Sequence, residues 1–198
     1  MTAPLTDVAS PPAAPWTDTR LVRECLDGNQ EAWEALVEKY KNLIYSIPMK
    51  FQLGPDAAAD IFQSVCVELL SELGSLREPK ALPKWLIQVS ARKCFHWKRL
   101  EARSIHLEQG EEPPARGIPA LDSEQILREA EQEQILRDAV AGLAPRCAQL
   151  VEMLFFREPV LPYAEVAKRL GIATGSIGFI RGRCLKRLRK ELELQGRA

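Results

Sequence analysis

The stretch Pro162–Leu192 reads PYAEVAKRLGIATGSIGFIRGRCLKRLRKEL. Tyr163, Val166, Ala167 and Leu170 recur at three- and four-residue steps, the period of an amphipathic helix. Gly171 suits the left-handed residue that ends such a helix, with Ile172 plugging the turn and Thr174 placed to cap the next helix. In that second helix Ile177, Ile180, Cys184 and Leu188 share one face. The opposite face holds Phe179, Gly182, Arg183 and Lys186, flanked by Ser176 and Lys190. This is the pattern of a helix-turn-helix, whose second helix enters the DNA major groove. Between Tyr163 and Lys190 there are eight basic residues against one acid, Glu165. A helical hairpin with a merely solvated basic face is the alternative.

Gly178 and Gly182 each weaken a helix interior by about 1 kcal/mol relative to Ala. Lacking a side chain, each permits close backbone approach to another surface. For Gly182, on the outer face, DNA is the candidate surface; for Gly178, nearer the side, the candidate is the preceding helix. Phe179 has two readings, contact with a thymine methyl or packing on a neighbouring helix.

Working outward, helices are expected over residues 19–27 (Asp18 capping, Gly28 stopping) and from Asn29 onward, where Trp33, Leu36, Val37, Tyr40, Leu43 and Ile44 form a stripe. Pro48 is expected to kink or end that helix. Another helix, capped by Asp56, runs to Leu73, and one opening at Leu82-Pro83 runs to Arg103, with Trp85, Leu86, Val89 and Phe95 or Cys94 inward. Gly, Pro and Glu dominate EQGEEPPARGIPA, residues 108–120, which is linker composition. A helix follows over residues 122–141, with Ile126, Leu127, Ala130, Ile135, Leu136 and Val140 apolar, and a short one starts at Pro145. No strand alternation and no internal repeat occurs.

The expected fold class is therefore all-α, with two helical domains joined by a flexible acidic linker and a helix-turn-helix as the C-terminal domain. The expected boundaries are a disordered leader over residues 1–17, a first domain over 18–103, a linker over 104–121 and a second domain over 122–198.

Lys plus Arg equals Asp plus Glu at 27 each in 198 residues, so net charge discriminates nothing. Its distribution does. Five acids (Asp56, Asp60, Glu68, Glu72, Glu78) face one base between residues 56 and 78. Five bases (Arg92, Lys93, Lys98, Arg99, Arg103) face one acid between 85 and 103, interleaved with Phe95, His96 and Trp97. Cations that hold phosphates beside rings that stack on bases suit unpaired nucleic acid. The alternative is core aromatics beside solvated charges, and Trp85 reads as core. Two basic helices and one acidic face point to one polyanionic partner and one that is not.

Five dispersed cysteines (Cys25, Cys66, Cys94, Cys147, Cys184) make no CxxC pair, and His96 and His106 lack metal-ligand spacing. Reduced thiols acting as small buried hydrophobes are expected. No cofactor, no metal and no nucleophile–base set is indicated, and so no enzyme. MTAPLTDVASPPAAPW, residues 1–16, lacks the basic and apolar regions of a signal peptide, and no run reaches membrane-spanning length.

Over roughly residues 19–193 the chain resembles the extracytoplasmic-function (ECF) sigma factors of bacterial RNA polymerase. EAWEALVEKYKNLIYSI, DAAADIFQSVCVELLSEL and LPKWLIQVSARKCFHWKRL look like the family's first conserved domain, and LAPRCAQLVEML with the opening stretch like its last. The resemblance implies a cytoplasmic, dissociable subunit of RNA polymerase that directs the core enzyme to promoters. It implies that Asp60, Ile61, Gln63 and Glu68 dock on the clamp coiled coil of the large subunit. By the same resemblance Arg92, Lys93, His96, Trp97, Lys98 and Arg99 melt and read the minus-ten element. Ser176, Phe179, Arg181, Arg183, Lys186 and Arg187 read the minus-thirty-five element. Arg181 lies beside the apolar stripe, where a structural ion pair is the alternative role. The family often carries Asn where Lys93 stands and Asp where Trp97 stands, a departure that bears on minus-ten preference. An anti-sigma factor that masks both domains is a further partner the family implies. The rival functions are a stand-alone helix-turn-helix regulator and a helical adaptor for an acidic protein.

Overall fold

The structure is a computed structural model that describes residues 16–109 and 123–195. The expected leader, apart from Trp16 and Thr17, lies outside the described residues, as does most of the expected linker. Eight α-helices and no strand occur among the described residues, so the fold is all-α.

Helix α1 spans Asp18–Leu26. Thr17, not Asp18, is its cap: the Arg20 N–H donates to Thr17 Oγ1 at 3.3 Å. Asp18 instead accepts from Lys39 Nζ at 2.7 Å and from the Tyr40 hydroxyl at 2.6 Å, tying α1 to the next helix. Gly28, at φ 82°, ends the connection in the left-handed region. Helix α2 spans Gln30–Lys50 and is capped by Asn29, which accepts from the Ala32 N–H at 3.3 Å. Pro48 does not end it: the helix continues through that residue to Lys50. So close to the C-terminus, the missing N–H removes only one bond of the ladder.

Helix α3 spans Pro55–Glu72. The residue before it is Gly54, with no side-chain cap; Asp56, expected as the cap, lies inside the first turn, where its charge complements the helix dipole. Helix α4 spans Leu82–Gln109. Residues 104–109, expected in the linker, are therefore helical. Helix α5 spans Ser123–Ala141, α6 Pro145–Phe155, α7 Tyr163–Leu170 and α8 Ile177–Gln195.

Two cores form. The first gathers Leu21, Leu36, Tyr40, Phe51, Val65 and Leu86 from α1–α4. Phe51 and Phe95 meet edge to face there, with ring centroids 4.9 Å apart. The second gathers Leu150, Val166, Ile177, Cys184 and Leu188 from α6–α8.

Helix α5 belongs to both. Its Ile126 and Ala130 are buried in the first core, whereas Ala139 lies in the second. The sequence expectation put this whole helix in the C-terminal unit. Ion pairs fasten it further: Lys50 reaches Glu129 at 3.1 Å and Glu133 at 2.8 Å, and Lys39 reaches Asp138 at 3.7 Å. Ile126 and Ala130 are buried as expected, but in the second half of α5 the buried face is shifted by one residue, to Gln134 and Ala139 from Ile135 and Val140. Gln134 is 2% exposed and Ile135 38% exposed. Gln134 is tolerated because its amide donates to Asp138 at 3.1 Å and its oxygen accepts from Arg137 at 3.4 Å.

The second core also corrects the cysteine expectation. Cys147 and Cys184 are joined in a disulfide, whereas Cys25, Cys66 and Cys94 are free. A separation of 37 residues hides the pairing in the sequence, because only the return of α8 across α6 brings the two Cα atoms to 5.4 Å. No helix among the described residues is long and apolar enough to cross a membrane.

Candidate nucleic-acid interface

The α7–α8 pair is built as its pattern requires. Val166 and Ala167 are buried and Leu170 is half-buried, while Tyr163 stays 40% exposed. Gly171 adopts φ 61°, ψ 42°, the left-handed conformation that an L side chain strains to reach. The Ile172 N–H then returns to the Ala167 carbonyl at 3.0 Å, and Arg146 donates to the Leu170 carbonyl at 3.0 Å. Thr174, expected as a cap, opens a 3-10 turn, Thr174–Ser176, that leads into α8.

On α8, Ile177, Cys184 and Leu188 face inward. Ser176, Phe179, Arg183, Lys186 and Arg187 are all exposed. Phe179 is 70% exposed, so most of its ring is open to solvent. The Arg183 guanidinium lies 5.6 Å from the centre of its ring, a cation–π contact that holds charge and ring together. Arg183, Lys186, Arg187, Arg189 and Lys190 line one groove with Glu193. Arg181 turns aside as its place beside the apolar stripe suggests, but its partner is a phenol: it donates to the Tyr163 hydroxyl at 2.6 Å. An added Cβ would meet nothing within 4 Å at either Gly178 or Gly182, so the expected contact of Gly178 with the preceding helix is absent.

On α4, Arg92, His96 and Arg99 are exposed, and Lys93, Trp97 and Lys98 are half-buried. Trp97 packs against the first core, so its ring is not a free stacking platform. Arg92, Phe95, His96 and Arg99 line an open cleft together with Leu127 of α5. Arg92 and Lys93 both pair with Glu68 of α3, Lys93 at 2.8 Å. Burial by itself raises the Glu68 pKa; the Lys93 and Arg92 charges outweigh it and hold the carboxyl below its ordinary range.

On α3, Asp60 and Gln63 are exposed, but Ile61 is only 2% exposed and belongs to the core. Ile61 therefore lies on the buried face of the helix with Val65 and Leu69. With Glu68 turned toward α4, the outward stripe is completed by Val67 and Leu70, 67% and 62% exposed. Sequence reasoning passed over these two. Their spacing from Asp60 and Gln63 is the available signal: positions 60, 63, 67 and 70 share one helix face. A shallow pocket beside the stripe is lined by Tyr45 and Asn42 of α2 and Phe62 of α3.

No family model matches the chain. It is 24% identical over 173 residues to the RNA polymerase sigma-H factor of Pseudomonas aeruginosa, covering 81% of this chain and 86% of the relative. It is 25% identical over 108 residues to the ECF RNA polymerase sigma-E factor of Escherichia coli strain K12, covering 54% of this chain and 52% of the relative. Among solved structures, that of CnrH in complex with the cytosolic domain of CnrY matches at 16% identity and a TM-score of 0.37, over 89% of this chain and 97% of that one. The described residues are all helical, and the chain is similar, at 24–25% identity, to proteins named as sigma factors of RNA polymerase, the ECF sigma-E factor among them.

Proposed function

We propose that this chain is a sigma subunit that brings core RNA polymerase to specific promoters and starts transcription, acting in the cytoplasm without catalysing a reaction itself. The observation that carries the reading is the outer face of α8, where exposed Phe179 and the Arg183, Lys186 and Arg187 cations stand together opposite a buried apolar seam. Such a face suits a major groove lined by phosphates, with Ser176 at its leading end, and α8 takes the minus-thirty-five element. Arg181 supports that face from behind through Tyr163.

Helix α4 takes the minus-ten element. His96 and Arg99 meet it directly, Arg92, Lys93 and Lys98 hold phosphates, and Trp97 braces the helix against the core. The stripe of Asp60, Gln63, Val67 and Leu70 on α3 docks on the clamp coiled coil of the large polymerase subunit. Its mixture of exposed aliphatic groups with one carboxylate and one amide suits a helical protein partner better than nucleic acid. An anti-sigma factor that covers α3 and α8 together is the regulatory partner in this reading.

The test is capture by purified bacterial core RNA polymerase, comparing the native chain with the Asp60→Lys, Gln63→Ala double variant. Stoichiometric capture that is lost in the variant is the expected result. No capture, with salt-sensitive binding to duplex DNA retained, would replace the sigma reading with a stand-alone regulator.

A further inference from the structure

The five cysteines are not alike. Burial pushes the Cys25 thiol up to about 11 and Cys94 up to about 12, and it raises Cys66 as well. Thiols held in that state stay protonated near neutral pH and react slowly.

Cys147 and Cys184 are set apart from these three by their place in the fold. Cys147 is the third residue of α6, an 11-residue helix whose first turn has no side-chain cap, and a helix N-terminus favours a thiolate. It keeps 7% exposure where Cys184 keeps 1%, which makes Cys147 the more accessible sulfur of the two. Their Cα atoms stand 5.4 Å apart, within the span a disulfide requires. Both residues also sit among Leu150, Val151, Ile177 and Leu188, apolar surroundings in which a free thiol packs as a small hydrophobe.

The position of the bond gives it a consequence. It fastens the middle of α8 to the start of α6. The half of α8 that precedes Cys184 carries Gly178 and Gly182, each with open space where a side chain would be. That half is intrinsically the weaker part of the helix. It is held from inside by Ile177 and by the bond, while Phe179 and Arg183 project from it into solvent.

We propose that Cys147 and Cys184 are a reversible thiol–disulfide site that exchanges with low-molecular-weight thiols and disulfides, and that its state sets how tightly the first half of α8 is held. In the oxidising direction the Cys147 thiolate attacks one sulfur of a small disulfide and displaces one small thiolate. The Cys184 thiolate then attacks the Cys147 sulfur of the mixed disulfide and displaces the second. Two protein thiols become one disulfide, the small disulfide takes up two electrons, and the two released thiolates take the two protons. Reduction is the same sequence reversed. The proposal concerns α8 whether or not DNA is its ligand.

The full chain is equilibrated in a series of reduced and oxidised glutathione ratios. Free thiols are then trapped by alkylation, and peptides and amide hydrogen exchange are read by mass spectrometry. The peptide linked through Cys147 and Cys184 should appear and disappear across the series, while Cys25, Cys66 and Cys94 remain alkylatable after unfolding. Amides of residues 177–184 should exchange about ten-fold faster at the reduced end. Cys147→Ala should exchange at the reduced rate at every ratio. Alkylation of both cysteines at every ratio would overturn the proposal. So would a bond that survives reduced glutathione alone, equal exchange in the two states, or exchange in Cys147→Ala that still follows the ratio.

Discussion

Glu68 joins two surfaces that the proposed function assigns to different partners. It sits on α3, and its carboxylate occupies the Arg92 and Lys93 cations of α4. Glu68→Gln removes the charge and releases both cations. Affinity for single-stranded DNA should then rise roughly two- to five-fold with a steeper dependence on salt, read by fluorescence anisotropy over a salt series. The same substitution alters acid stability. Because the folded carboxyl titrates below its ordinary 4.5, the native pairing stabilises the fold above that pH and loses its contribution as the pH falls through the lower folded value. Below that window the native chain and Glu68→Gln should melt alike, and above it the native chain should melt higher. At the other interface, Phe179→Ala should weaken minus-thirty-five duplex binding about three- to ten-fold, with the loss concentrated at one or two base positions in a substitution scan. Equal affinity on every variant duplex would remove Phe179 from the reading face.

At the scale of the element, α8 and its glycines allow stability to be separated from recognition. An added methyl at Gly178 or Gly182 meets open space, so either Gly→Ala change should stabilise the helix by about 1 kcal/mol and raise Tm by about 2–4 °C. Gly182 lies on the outer face, so Gly182→Ala should also cost roughly three- to ten-fold in duplex affinity, while Gly178→Ala should leave affinity unchanged. Thermal melts and anisotropy on the same samples check both. The outline of α8 was legible because a 3.6-residue period and a left-handed glycine are local signals. What stayed hidden was what depends on neighbours. The Cys147–Cys184 bond, the Glu68 pairing and the Tyr163 partner of Arg181 join residues 18 to 37 positions apart, and the periodicity of one helix carries no record of them. Ile61 was tied to docking by resemblance alone; its four-residue spacing from Val65, and Val65's from Leu69, marks the face that the structure buries.

At the scale of the molecule, the sequence separates a first helical group from a second by the composition of residues 108–120, and it assigns α5 to the second. Composition marks where the chain changes character; it says nothing about which core a following helix seeks. Ile126 and Ala130 go one way and Ala139 the other. Burial of Ile126 contributes roughly 1.5–3 kcal/mol, and the Lys50 ion pairs, open to solvent, contribute less than that. Lys50→Ala should therefore leave each core folded but raise amide exchange along α5 about five-fold.

A helix with one end in each core also makes melting a joint event. Neither core can lose its share of α5 without loosening the other's grip on it. A scanning calorimeter should register a single heat-absorption peak, with van't Hoff and calorimetric enthalpies in agreement, where two independently folded halves would give two peaks. Lys50→Ala, by slackening the shared helix, should split that peak or lower the ratio of the two enthalpies below one.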